Sequence, residues 1–175
     1  MITFTESEMK FSYEEQDTFY LEKSELYETR LRNHQVSSVE CITVRVQHDR
    51  RKVLFIEAKT SAPNPNGPKG IGRFEEFVEE LCVKFRHSLA MCYAILHDVH
   101  GMEDSTLHNM GAVLRSCLET QPQILYVVII QKHEPSWCNG LQEALHKALT
   151  SMRSIWKIQI AVINEEIARS VQLIQ

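Results

Sequence analysis

The chain has 175 residues, of which 43% are hydrophobic and 24% charged, values that are ordinary for a globular protein with one sizeable core. A formal net charge of −4 argues against a protein that coats DNA constitutively. No run of about 18 apolar residues occurs, and no basic segment followed by an apolar stretch opens the chain, so the sequence predicts neither a membrane span nor a signal peptide.

The cysteines are scattered along the chain and form no C-x-x-C pair. Five are present, an odd number: Cys41, Cys82, Cys92, Cys117 and Cys138. This pattern argues against a disulfide framework and against a zinc site, and it predicts buried thiols in a reducing compartment. The cysteine pattern thus predicts a cytoplasmic location. From the length of the chain we expect one domain over residues 1–175.

The first forty residues predict small elements. Residues 2–5 and 9–13 alternate weakly between apolar and polar side chains, which favours a small edge hairpin. Ser24 can cap a short helix that extends to about residue 33, with Tyr27 and Leu31 facing inward.

Two strands follow, and they carry the ionic residues of most interest. Residues 39–46 place Glu40 on the same strand face as Ile42 and Val44. The apolar strand over residues 53–59 ends in Glu57-Ala58-Lys59, where Glu57 and Lys59 project from one side, about 7 Å apart. The polar stretch between the strands predicts an antiparallel hairpin.

Two registers of this hairpin are open. If Gln47 faces Lys52, Glu40 lies opposite Lys59 and diagonal to Glu57. If the turn is the tighter His48-Asp49 pair, Glu40 faces Glu57 directly. Either register brings the three ionic groups to one face, whereas a slip by one residue sends Glu40 to the other.

The rest of the chain alternates between helices and strands. Residues 61–72 hold three prolines and three glycines and predict a loop. Helices are predicted over residues 74–96 and 106–118, and from residue 135 with Trp137 and Leu141 facing inward. Strands are predicted over residues 124–130, apolar on both faces, and 155–163, with a last helix capped by Asn164. The expected fold is α/β, with three α/β/α layers around a mixed sheet.

Charge is unevenly distributed along the chain. Residues 1–40 carry nine acidic and four basic side chains, whereas residues 45–73 carry seven basic and two acidic ones. Because the basic segment includes Glu57 and Lys59, it predicts a positive field that suits a polyanionic substrate. A charged hairpin tip and a solvated loop would account for the same composition.

The order of these elements resembles the PD-(D/E)xK nuclease superfamily, which has the restriction-endonuclease-like fold. The resemblance rests on an acidic strand, a short turn, an apolar strand ending in Glu-x-Lys, a helix and a further buried strand, over about residues 22–132. It implies that Glu40 and Glu57 bind Mg²⁺ (or Mn²⁺) and that Lys59 is the catalytic lysine. Glu40 stands where the family usually has Asp, and Val39 where it usually has Pro.

The resemblance also implies an assisting acid on an earlier helix. Glu22, Glu25 and Glu28 are the candidates. We favour Glu22, because it follows an apolar triplet and precedes the cap at Ser24, although a solvated helix face would account for all three.

The expected function is a metal-dependent nuclease that hydrolyses phosphodiester bonds of nucleic acid, DNA or RNA. The alternative is a non-catalytic nuclease-like module that binds a protein partner or nucleic acid, with a degenerate copy of the site. No separate DNA-reading domain is evident in a chain of this length, so a homodimer or a protein complex is the expected assembly.

Overall fold

Five strands form a mixed central sheet in the computed structural model, which describes residues 1–47, 50–67, 70–101, 109–120 and 122–175. In sheet order they are β3 (Thr18–Phe19), β4 (Cys41–Gln47), β5 (Arg50–Lys59), β6 (Gln123–Ile130) and β7 (Gln159–Asn164). The pairs β3–β4 and β4–β5 are antiparallel, whereas β5–β6 and β6–β7 are parallel. The chain is therefore α/β with a mixed sheet, and β6 is the buried strand that its apolar sequence predicted.

The register between β4 and β5 decides which residues meet. Cys41 pairs with Ile56 and Gln47 with Arg50, and the backbone N–H of Glu40 donates to the carbonyl of Ile56 at 2.9 Å. This is the register predicted for the tighter turn; the one in which Gln47 faces Lys52 is wrong. The turn residues 48 and 49 lie outside the described residues.

One face of the sheet is covered by helices. They are α1 (Gly70–Leu96), α2 (Ala112–Glu119), α3 (Pro135–Ala148) and α4 (Thr150–Trp156). Leu81 and Phe85 of α1 pack on Phe55 of β5 and Tyr126 of β6, where Phe85 stacks on Tyr126 at a centroid distance of 4.7 Å. The larger of the two apolar cores lies here, between these helices and the strand side chains that project toward them.

The opposite face is covered mainly by a second, two-stranded sheet. Its strands β1 (Ile2–Glu6) and β2 (Met9–Tyr13) pair antiparallel and pack with the short helix α5 (Glu165–Ser170) over the central sheet. Met9 and Phe11 are fully buried in this second core. The hairpin is thus not an edge of the main sheet as predicted, and the predicted second helical layer consists of one short helix beside a hairpin.

Two element boundaries differ from the sequence prediction. Helix α1 begins at Gly70, inside the segment predicted as loop, where a Cβ on Gly70 would lie 2.1 Å from the carbonyl oxygen of Asn64. Strand β7 starts at Gln159 rather than residue 155, because α4 continues to Trp156 and Lys157 ends it in a left-handed conformation (φ 53°).

Two predicted helices are found in part. Ser24 accepts a hydrogen bond from the N–H of Tyr27 at 3.2 Å and so caps a helical segment that begins at residue 25 and continues as the π-helix Tyr27–Leu31. Of the helix predicted over residues 106–118, residues 106–108 lie outside the described residues, and α2 begins at Ala112.

Two local predictions are confirmed. The side chain of Asn164 accepts a hydrogen bond from the N–H of Ile167 at 3.0 Å and caps α5. All five cysteines are buried and free. Trp137, by contrast, was predicted to face inward, and it is 58% exposed.

Candidate active site

Glu40 and Glu57 face each other on the side of the sheet that α1 covers. Glu40 directly precedes β4 and lies opposite Glu57 of β5, since their neighbours Cys41 and Ile56 are paired. Lys59 lies two residues beyond Glu57 and therefore on the same face. The structure brings together the three ionic groups that the sequence singled out.

The carboxylate of Glu57 is fully buried. Its Oε1 lies 2.7 Å from the Nζ of Lys84 and 3.4 Å from the Nζ of Lys59. Its Oε2 has no hydrogen-bond partner among the residues that the structure describes. Burial raises the pKa of Glu57 above its usual value, and the two lysines oppose that rise.

Lys84 is a site residue that the sequence reasoning missed. It extends from α1, and its Nζ lies 3.6 Å from Oε1 of Glu40 as well as 2.7 Å from Glu57. Burial lowers the pKa of Lys84, but the facing carboxylates outweigh this and the net pKa is raised. The sequence pattern could have indicated it, because Lys84 lies between the core residues Leu81 and Phe85 on the inward side of the amphipathic helix. A lysine at such a position needs a partner of opposite charge.

Lys59 is held between two carboxylates at the end of β5. Besides Glu57 it contacts Oε1 of Glu80, an α1 residue that the sequence did not single out, at 2.5 Å. Its Nζ also lies 6.0 Å from the centre of the Phe77 ring. Because the side chain is 22% exposed, its ammonium remains within reach of solvent.

Glu40 is a second carboxylate whose charged form the site disfavours. Burial, followed by the negative charge of Glu57, raises its pKa to about 7, while Lys84 acts in the opposite direction. Glu6 and Glu22 add smaller contributions that also raise it. A further positive charge would relieve this repulsion.

Glu22 is the early acid that lies near the cluster. Its Oε1 accepts a hydrogen bond from Ser38 at 3.3 Å, and its charge acts on Glu40 and on Lys84. Glu25 and Glu28 are exposed. Of the three candidates, the structure therefore places Glu22 closest in electrostatic terms to Glu40.

Two arginines of the basic segment lie far from the site. Arg50 and Arg51 lie at the start of β5, whereas Glu57 and Lys59 lie at its end. Seven residues of extended chain separate Arg50 from Glu57, which corresponds to about 23 Å. These two arginines therefore contribute little to a positive field around the carboxylates, whereas Lys59 of the same segment lies within the site.

The residues present fit a hard divalent cation in their donor type and in their charge. Two facing carboxylates, one of them with a buried unpaired oxygen, are ligands that Mg²⁺ or Mn²⁺ prefers. Within the described ranges no three His, Cys, Asp or Glu side chains form a group that could hold a metal ion. Such a cation would thus take its remaining ligands from water, backbone or substrate oxygens.

A cavity of about 360 Å³ opens at the same end of the parallel strands. It lies between the segment that follows β5, the segment that follows β6 and the facing sides of α1 and α3. The residues that line it include Ala62, Asn64, Phe74, His133, Trp137 and Leu141. Phe74, which lines it, is one helical turn from Phe77, and the ring centre of Phe77 lies 6.0 Å from the Nζ of Lys59.

Among the helices that the structure describes, none has both the length and the apolar character needed to span a bilayer.

Comparison of the chain with protein-family models, with curated proteins and with solved structures finds no match.

Proposed function

We propose that the protein is a metal-dependent nuclease of the PD-(D/E)xK type, with a restriction-endonuclease-like fold. The observation that carries the proposal is the direct opposition of Glu40 and Glu57, with a buried carboxylate oxygen of Glu57 left unpaired. A buried charge of this kind is costly unless a cation or hydrogen bonds compensate it.

The topology around the site supports the proposal. The antiparallel pair β4–β5 is followed by α1 and then by β6, which is parallel to β5. This is the order of elements on which the resemblance to the superfamily rests. Glu57 and Lys59 lie at the carboxyl end of β5, where open α/β sheets commonly place their ligands.

The chemistry follows from the charges of the residues. Glu40 and Glu57 would hold Mg²⁺ or Mn²⁺, which when bound lowers the pKa of water and offsets negative charge on a phosphate. Lys59, oriented by Glu57 and Glu80, stabilises the charge that develops on the phosphate oxygens. Glu22 adds negative charge on the side of Glu40 and helps retain the cation.

The cavity at the same end of the parallel strands supports nucleic acid as the substrate. Trp137 is 58% exposed there, and its ring meets His133 edge-on at a centroid distance of 5.3 Å. An accessible aromatic face can stack on an unpaired base, and the asparagines of the lining can donate to base edges.

The test is cleavage of plasmid, single-stranded DNA and RNA with Mg²⁺ or Mn²⁺. We expect Glu57→Gln and Lys59→Met to lower the rate at least about 100-fold, as occurs when a group that stabilises transition-state charge is removed. Glu119→Gln, which removes an exposed carboxylate paired with Arg115, is the control and should retain activity. Metal-dependent cleavage that persists in Glu57→Gln would contradict the proposal.

One observation favours a second candidate, a non-catalytic module that binds a protein partner or nucleic acid. Lys84 already forms ion pairs with both Glu40 and Glu57, so the site has an internal counter-charge. For such a module we expect no cleavage and no change in melting temperature with Mg²⁺ or Mn²⁺.

We further propose that the protein acts in the cytoplasm, as a homodimer or within a complex. Five free buried thiols are typical of a reducing compartment. Exposed apolar side chains, among them Ile155 and Ile71, offer area for association.

A further inference from the structure

The ammonium of Lys84 lies where a cation shared by Glu40 and Glu57 would lie. It is 2.7 Å from Oε1 of Glu57 and 3.6 Å from Oε1 of Glu40, and its side chain is 15% exposed. An ammonium held by two carboxylates offsets one of their two negative charges, whereas a divalent cation would offset both.

The ammonium and a divalent cation cannot both use these oxygens in this arrangement. A magnesium ion lies about 2.0 to 2.1 Å from each oxygen ligand and demands near-octahedral geometry. With Lys84 in place, the cation would face another positive charge at a short distance in a poorly solvated site. Occupation of the site therefore requires that the ammonium withdraw.

Withdrawal of the ammonium requires movement of the Lys84 side chain alone. The backbone of Lys84 lies within α1, and its carbonyl accepts a hydrogen bond from Ser88 at 2.7 Å. A lysine has a flexible four-carbon stem with four rotatable bonds, so its ammonium can leave while the helix stays in place.

We propose that Lys84 is a built-in counter-ion that competes with the divalent cation for Glu40 and Glu57 and so keeps the affinity for metal low. This inference rests on the proposed function in that the competing cation is the one that the nuclease would use. The exchange is non-covalent: two carboxylates release an ammonium to solvent or to substrate phosphate and accept a metal ion.

Lys59 provides a matched comparison. It has the same charge and also contacts Glu57, but at 3.4 Å, and its shorter contact is with Glu80. Lys59→Met and Lys84→Met therefore remove the same charge from the same cluster, but Lys84→Met alone removes the ammonium that lies between Glu40 and Glu57.

The experiment measures binding of Mn²⁺ alone, by calorimetric titration and by the shift in melting temperature, for wild type, Lys84→Met, Lys84→Gln, Lys84→Arg and Lys59→Met. We expect Lys84→Met and Lys84→Gln to bind Mn²⁺ at least tenfold more tightly than wild type and than Lys59→Met. Lys84→Arg, which keeps the charge, should show no gain. If Lys84→Met does not fold, Lys84→Gln, which can still donate a hydrogen bond to Glu57, provides the measurement.

The outcomes separate this inference from the proposed function. Unchanged or weaker Mn²⁺ binding in both neutral Lys84 variants overturns the inference, even if wild type cleaves nucleic acid. Tighter binding in these variants supports it, even if wild type cleaves nothing and the proposed function fails. An equal gain in Lys59→Met overturns it, because the effect would then be one of net charge.

Discussion

The hydroxyl of Ser88 accepts a hydrogen bond from the backbone N–H of Val39 at 2.8 Å, which ties α1 to the residue directly before Glu40. The same hydroxyl donates to the carbonyl of Lys84 at 2.7 Å. Ser88 is fully buried, so one small side chain sets the position of Glu40 relative to the helix that provides Lys84.

Removal of that hydroxyl should therefore destabilise the fold. In Ser88→Ala the buried N–H of Val39 loses its partner, and we expect the free energy of unfolding to fall by about 1 to 3 kcal/mol. Urea unfolding followed by circular dichroism measures the change. Ser154→Ala, which removes an exposed hydroxyl on α4, is the control and should cost less than about 0.5 kcal/mol; equal losses in the two variants would contradict the prediction.

The raised pKa of Glu40 predicts a pH dependence of stability in the absence of metal. The folded protein holds a proton on Glu40 up to about pH 7, whereas the unfolded chain releases it near the usual value of 4.5. The stabilising contribution is therefore complete below pH 4.5 and is lost as the pH rises to about 7.

Glu40→Gln cannot ionise and removes this dependence. The free energy of unfolding of wild type, minus that of Glu40→Gln, should fall between pH 4.5 and pH 7, by an amount on the order of 3 kcal/mol. Urea titrations in the presence of a chelator at several pH values provide the test. A difference that stays constant, or that grows with pH, would show that Glu40 is not the group responsible.

Removal of the Asn164 side chain that caps α5 should lower the stability of the fold. In Asn164→Ala the N–H of Ile167 and the carbonyl of His133 both lose a partner. We expect a cost of about 1 kcal/mol, and up to about 2 kcal/mol because the position is buried. Thermal unfolding measures it against Asn33→Ala, an exposed control that should leave the melting temperature unchanged.

Replacement of Trp137 by alanine should weaken binding of single-stranded DNA without an effect on folding. Because its side chain is 58% exposed, Trp137→Ala should change the free energy of unfolding by less than about 0.5 kcal/mol. Loss of one stacked base should weaken binding of single-stranded DNA by about 1 to 3 kcal/mol. Trp156→Ala is the matched control, since Trp156 packs on Tyr93 at the far end of α4. Equal weakening of DNA binding in both variants would show that Trp137 does not stack on a base.

The sequence predicted the elements that have strong periodic patterns. The apolar residues of α1 and of β6 follow helical and buried-strand patterns that leave few alternatives, and both elements lie where they were expected. It also limited the pairing of Glu40 and Glu57 to two registers, because side chains of a strand alternate and a slip by one residue would bury the wrong face.

Tertiary structure alone decided the rest of the site. The sequence left the choice of register open, and the pairing of Gln47 with Arg50 settles it. The approach of Lys84 to Glu57 joins residues 27 positions apart, a contact that depends on how α1 crosses β5. The sequence therefore determined which charged groups face the core, whereas packing of the helix on the sheet determined which of them neutralise one another, because burial makes a carboxylate depend on whichever cation the fold brings within reach.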